Sequence, residues 1–179
     1  NNFFFWDGRA KTLEEQILMP VEDPIEMHDN WTDVMATLKA DLTYKNMFFQ
    51  AFNTTDIDST HAAKAIAQFI RTMISGASKY DVMYKAENNI ALTAAEQILY
   101  STVTPEEDAG YDLFKSLNGA DCFHCHNGPL MQVQKFSNNG LDATFSDNGR
   151  GGVTGNPNDM GKFKVPTLRN IEYSGPFMH

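Results

Sequence analysis

The chain has 179 residues, 42% of them hydrophobic, enough to bury one sizeable core or two small ones. Fourteen basic residues face 23 acidic ones, a formal balance of −9, and there is no Lys/Arg run. Nothing therefore points to nucleic-acid binding, whereas an acidic surface suits a basic partner protein; no apolar run reaches membrane-spanning length.

Taken in chain order, the predicted elements are helices almost throughout. Asn1 is followed at once by Phe3-Phe4-Phe5-Trp6, and the chain stops at Gly175-Pro176-Phe177-Met178-His179, so both ends read as cut and the chain as a fragment or processed form. Thr12-Leu13-Glu14-Glu15 is a capping-box pattern opening a short helix that Pro20 is expected to end. Trp31 to Asp41 and Tyr44 to Phe52 are helical candidates separated near Leu42-Thr43. Asp58 caps a stronger one, with Ile66, Phe69, Ile70 and Met73 at core-facing spacing and Gly76 as its stop. Ser78 to Lys85 reads as another helix. Capping boxes recur at Thr93-Ala94-Ala95-Glu96 and Thr104-Pro105-Glu106-Glu107, the latter opening a helix through Tyr111 and Phe114 towards Cys122. A short extended stretch is expected only around Phe163 to Leu168. The fold class is all-α.

The polar stretch Ala86-Glu87-Asn88-Asn89 precedes a freshly capped helix and places a domain boundary near residue 90. From Phe136 to Gly161 the chain is rich in Asn, Gly and Asp. Its glycines have no preceding strand and no Gly-Lys-Ser/Thr ending, so an irregular loop around a ligand is expected rather than a phosphate-binding loop.

Cys122-Phe123-His124-Cys125-His126 is the C-x-x-C-H pattern of c-type heme attachment. Two thiols three residues apart on one turn can add to the two vinyl groups along one porphyrin edge. The next residue, His126, then offers its imidazole to the iron, and its other ring nitrogen is expected to donate to a backbone carbonyl. His124, between the cysteines, is expected at the surface or heme edge. Three plainer readings compete. A structural disulfide would staple little at this spacing, a thioredoxin-like pair wants a β-α-β context, and zinc lacks a second ligand pair at suitable spacing.

Two further groups of residues carry a family resemblance. Phe5-Trp6-Asp7-Gly8-Arg9-Ala10, Leu13-Glu14-Glu15-Gln16 and Pro24-Ile25-Glu26-Met27 resemble the stretch that follows the first heme of bacterial di-heme cytochrome c peroxidases. Lys162-Phe163-Lys164-Val165-Pro166-Thr167-Leu168-Arg169-Asn170 and Pro176-Phe177-Met178-His179 resemble the segments after the second heme motif. The MauG-like enzymes share these stretches.

The resemblance implies two cytochrome c-like helical domains, each holding one heme. Residues 1–90 would be most of the peroxidatic domain without its heme motif, and residues 91–179 the electron-transfer domain. One heme c would sit in this chain, two in the full protein. By the same matching, Glu26 is implied as the distal acid/base, Gln16 as the amide lining its pocket, and Trp6 as a relay between hemes. The backbone carbonyls of Ser174 and Pro176 are implied as calcium ligands, and Lys164 and Arg169 as partners of heme propionates. The implied activity is reduction of hydrogen peroxide in the bacterial periplasm with electrons from a small cytochrome c or cupredoxin, in a protein able to form a homodimer. A mono-heme electron carrier and a MauG-like oxidase of a protein substrate stand as alternatives. Neither Met160 nor Met178 is expected to be the sixth ligand of the heme at His126.

Overall fold

A computed structural model describes residues 2–177. Eight helices were located among them: α1 (Leu13–Glu22), α2 (Trp31–Ala40), α3 (Leu42–Phe52), α4 (Ser59–Thr72), α5 (Lys79–Glu87), α6 (Ala94–Tyr100), α7 (Pro105–Lys115) and α8 (Arg150–Thr154). The described extended segments are two residues each, Phe136–Ser137 and Phe163–Lys164. The predicted helix starts coincide with real caps. Thr12, Asp58, Ser78, Thr93 and Thr104 each accept a backbone N–H in the first turn of the helix that follows, satisfying donors that would otherwise be orphaned. The helix expected from Tyr44 begins instead at Leu42, because the Asp41 carboxylate accepts from the Thr43 N–H.

The chain divides into two compact units. The first comprises Asn1–Ile74 with Asn138–Lys164, the second Ser75–Ser137 with Val165–His179. The break thus lies after Ile74, upstream of the boundary expected near residue 90, because α5 packs with α6 and shares ion pairs with α7.

In the first unit, Met35, Phe48, Ile57 and Ala62 form a buried cluster, with Trp31, Leu38 and Phe52 packed against it. The Trp31 indole N–H donates to the Leu18 carbonyl at 2.9 Å, tying the start of α2 to α1. Helix α1 does not end at Pro20. It carries the proline internally and runs to Glu22, since Val21 is buried and the carbonyls of Pro20 and Val21 accept from Met27 and Asp29. Helix α4 corrects a second expectation. It packs on α1 and buries Ala62, Ala63 and Ala67, small residues that let two helices approach closely. Ile66, Phe69, Ile70 and Met73, the face expected to be core, are largely outward, Phe69 at 62% exposure. Helical periodicity names an apolar stripe but not which neighbouring stripe a partner helix takes.

The Gly-rich segment also differs from the irregular loop expected. It contains α8 and packs within the first unit, where Arg150 donates to the carbonyls of Asp7 (3.2 Å) and Gly8 (2.9 Å). Gly149 lies at φ +53°, and a Cβ there would sit 2.4 Å from the Lys162 carbonyl oxygen, so only glycine serves.

In the second unit α5 is the hub. Val82 and Met83 are buried, Lys85 pairs with Glu96 of α6, and Glu87 accepts from Tyr111 and Lys115 of α7, both at 2.7 Å. Neither α6 nor α7 has a buried residue.

Candidate heme attachment site

Helix α7 stops at Lys115, short of the cysteines, and a compact turn makes the connection. Ala120 N–H donates to the Leu113 carbonyl and Asp121 N–H to that of Ser116. Gly119 fits there because a Cβ would lie 2.5 Å from the Leu113 oxygen. One helical turn then carries the motif, with the Cys122 carbonyl accepting from Cys125 N–H at 3.1 Å and His126 N–H at 2.8 Å. Both thiols are free, and Cys122, Cys125 and His126 are half-buried, while His124 is exposed as expected.

The imidazole of His126 is oriented. Its Nδ1 donates to the Met131 carbonyl at 3.3 Å, since a carbonyl can only accept. That assignment leaves Nε2 as the free ring nitrogen, the arrangement a metal-bound histidine uses. The loop between them is anchored by further bonds. Asn127 Nδ2 donates to the Phe123 carbonyl at 3.0 Å, and Val133 N–H to that of Cys125 at 2.9 Å. Around the turn, apolar side chains stand uncovered: Leu113 and Leu117 at 60% and 73% exposure, with Phe123 and Leu130 also outward. Two free thiols on one turn, a histidine with one nitrogen committed and an apolar surround together fit heme c.

The other expected site residues divide between the units. Trp6, Gln16, Glu26 and Lys164 lie in the first; Arg169, Ser174 and Pro176 lie in the second. Trp6 sits at the tip of a tight reversal closed by the Phe4–Ala10 bridge, half-exposed, its carbonyl accepting from the Lys164 N–H at 2.7 Å. Gln16 is half-buried on α1. Glu26 is exposed on the turn after α1, where its N–H and that of His28 donate to the Asp23 carbonyl and Asp23 Oδ1 accepts from Ile25 N–H. The backbone under Glu26 is therefore fixed although its carboxylate faces out. Ser174 and Pro176 are exposed.

Both expected propionate partners have protein partners. The Lys164 Nζ reaches the Phe3 carbonyl at 3.5 Å, and burial lowers its pKa. The Arg169 guanidinium is directed at Asp81 and the Pro129 carbonyl, with which a propionate would have to compete. Asp81, together with Tyr80 and Thr167 around the same loop, was not singled out from sequence. Its one signal was its place in the Ser78 capping box, which says nothing of an arginine 88 residues away. Met160 packs within the first unit, so closely that a Cβ on Gly151 would lie 2.5 Å from its sulfur, and Met178 lies outside the described residues.

Comparison with known proteins identifies the family. Residues 1–89 match the profile of the di-haem cytochrome c peroxidase family. The cytochrome c551 peroxidase of Nitrosomonas europaea is 35% identical over 98% of this chain and 49% of its own length. The methylamine utilization protein MauG of Methylophilus methylotrophus is 29% identical over 97% of this chain and 48% of its own. The chain thus spans about half the length of these relatives. A crystal structure of a MauG-like protein associated with microbial copper homeostasis superposes with a TM-score of 0.75 at 31% identity, covering 99% of this chain and 54% of that one. The all-α fold is cytochrome c-like, and the chain belongs to the di-haem cytochrome c peroxidase and MauG family.

Proposed function

We propose that this chain is part of a periplasmic di-heme peroxidase that reduces hydrogen peroxide with electrons from a small cytochrome c or cupredoxin. The observation that carries the reading is the Cys122–His126 turn with His126 Nδ1 held by the Met131 carbonyl. Heme c, when attached through Cys122 and Cys125, supplies a redox-active iron whose potential is set by its ligands and their hydrogen bonds.

The chain's own residues supply the rest. In this reading Glu26 takes a proton from one peroxide oxygen and returns it to the departing one, and Gln16 lines the same pocket. The tied turn from Pro24 to Met27 serves that role by holding the carboxylate's backbone still. Trp6 relays electrons, and the carbonyls of Ser174 and Pro176 hold a calcium ion as hard oxygen ligands. The acidic balance of −9 suits a basic electron donor. Electron transfer is assigned to the unit carrying His126 and peroxide chemistry to the one carrying Glu26. A homodimer is the proposed assembly. MauG-like oxidation of a protein substrate is the second reading, favoured by the 31% identity to the MauG-like structure.

The test is Glu26→Gln in the full-length protein loaded with both hemes. Heme content stays at the unmutated level while peroxide turnover falls by ~10²–10⁴-fold, the contribution of a positioned acid/base group. Near-normal turnover would remove Glu26 from the mechanism.

A further inference from the structure

The loop after His126 is gripped along its whole length. The Tyr80 hydroxyl donates to the Gly128 carbonyl at 2.9 Å, Arg169 Nε to that of Pro129 at 2.7 Å, and Thr167 Oγ1 to that of Leu130 at 2.6 Å. The fourth carbonyl, Met131, accepts from His126 Nδ1 and from the Leu168 N–H. Arg169 also engages both oxygens of Asp81, with Nη1 to Oδ2 at 3.2 Å, and a second guanidinium nitrogen, Nη2, joins Nε on the Pro129 oxygen. Asp81 is itself fixed by the Ser78 N–H at 2.9 Å and hydroxyl at 2.8 Å. The side chains of the pair are only 12% and 17% exposed, so water and salt screen them little.

We propose that Arg169, oriented by Asp81, is a positioning residue for the axial histidine. It pins the Pro129 carbonyl and, through the loop, the Met131 carbonyl that receives the His126 proton, so fixing the ring plane and the basicity of Nε2. The inference rests on heme attachment at Cys122, Cys125 and His126. An ion pair that merely joined α5 to the last segment would need no donors on Pro129, yet two are spent there. Only a planar guanidinium can hold a carboxylate bidentately and a carbonyl at once; a lysine cannot. A firm Nδ1–H to carbonyl bond strengthens histidine as a ligand and favours ferric iron, so loosening the loop favours ferrous iron.

The experiment compares Arg169→Met and the near-isosteric Asp81→Asn in the heme-loaded protein, with Arg71→Met, which breaks the Glu14 pair of the first unit, as control. Three quantities are read: thioether-bound heme by mass, the midpoint potential of the His126 heme, and its ferric EPR g values. With heme fully attached, Arg169→Met raises the ferrous-to-ferric ratio at fixed ambient potential about tenfold, ~59 mV for one electron. Asp81→Asn moves it in the same direction by less, and both variants shift the g values. Potential and g values in both variants equal to those of Arg71→Met would overturn the proposal. If Arg169→Met does not accumulate, Asp81→Asn decides alone, its shift supporting the proposal and its silence overturning it. Absence of thioether-linked heme from the unmutated protein would strike the underlying reading and the proposal with it, and mass alone tells that outcome apart.

Discussion

Helices α2 to α4 and helices α6 to α7 solve the same problem in different ways. The first group holds a buried cluster: Met35, Phe48 and Ile57 are buried among neighbours, and Phe52 sets its ring edge-on to His61 at 5.0 Å. The second group buries no residue at all, and Ile98 and Leu113 stand in the open. What fixes the second group is polar: Lys85 with Glu96, Lys79 with Glu107, Tyr111 and Lys115 with Glu87, and the Arg169–Asp81 pair behind the attachment turn. Polar anchors set geometry well but contribute little net stability when exposed. In the proposed reading, a heme attached at Cys122 and Cys125 adds apolar surface beside Leu113 and Leu117.

The largest test of that contrast removes the attachment. In Cys122→Ser/Cys125→Ser, hydrogen exchange of α6 and α7 rises towards the unprotected limit, while α2 to α4 keep their protection. Equal loss in both regions, or loss in neither, would break the comparison. A smaller test runs the other way. Ile57→Ala deletes packing from the buried cluster and lowers stability by about 2–5 kcal/mol, read by denaturant unfolding, with the spectrum of the His126 heme unmoved.

Acid gives a third, smaller effect. Burial pushes the Asp81 carboxyl up, but the Arg169 guanidinium and the Ser78 donors outweigh it and hold it at about 2, below the ordinary 3.8. A depressed carboxyl stabilises fully above its unfolded value, and the contribution is lost as pH falls from about 4 towards 2. That amounts to about 2 kcal/mol. Asp58 is also held low by the Thr60 hydroxyl and the His61 N–H, so part of any acid transition belongs to the first unit. The check is therefore Asp81→Asn, whose stability should lose less than the parent's between those pH values.

Much of this was legible in the sequence, and what was not has physical reasons. Capping residues act within one turn, so Thr12, Asp58, Thr93 and Thr104 announced their helices. The Cys122–His126 motif proposed for heme was legible because such chemistry demands consecutive residues. The acceptor for His126 was foreseen as a carbonyl but not as Met131, since loop closure is not written in spacing. The Arg169–Asp81 pair joins residues 88 apart and had no local sign. Ile66, Phe69, Ile70 and Met73 misled because large apolar residues at helical spacing look like core, whereas α1 took the alanine stripe beside them. Pro20 misled because a proline weakens a helix interior without forbidding one when Val21 beyond it is buried.

The most direct measurement is the intact mass of the protein after full denaturation, followed by peptide mapping around residues 122–126. The account predicts a mass above the polypeptide by one heme per Cys-x-x-Cys-His motif, with thioether links on Cys122 and Cys125 that survive unfolding. A peptide carrying both cysteines with no heme adduct would contradict it.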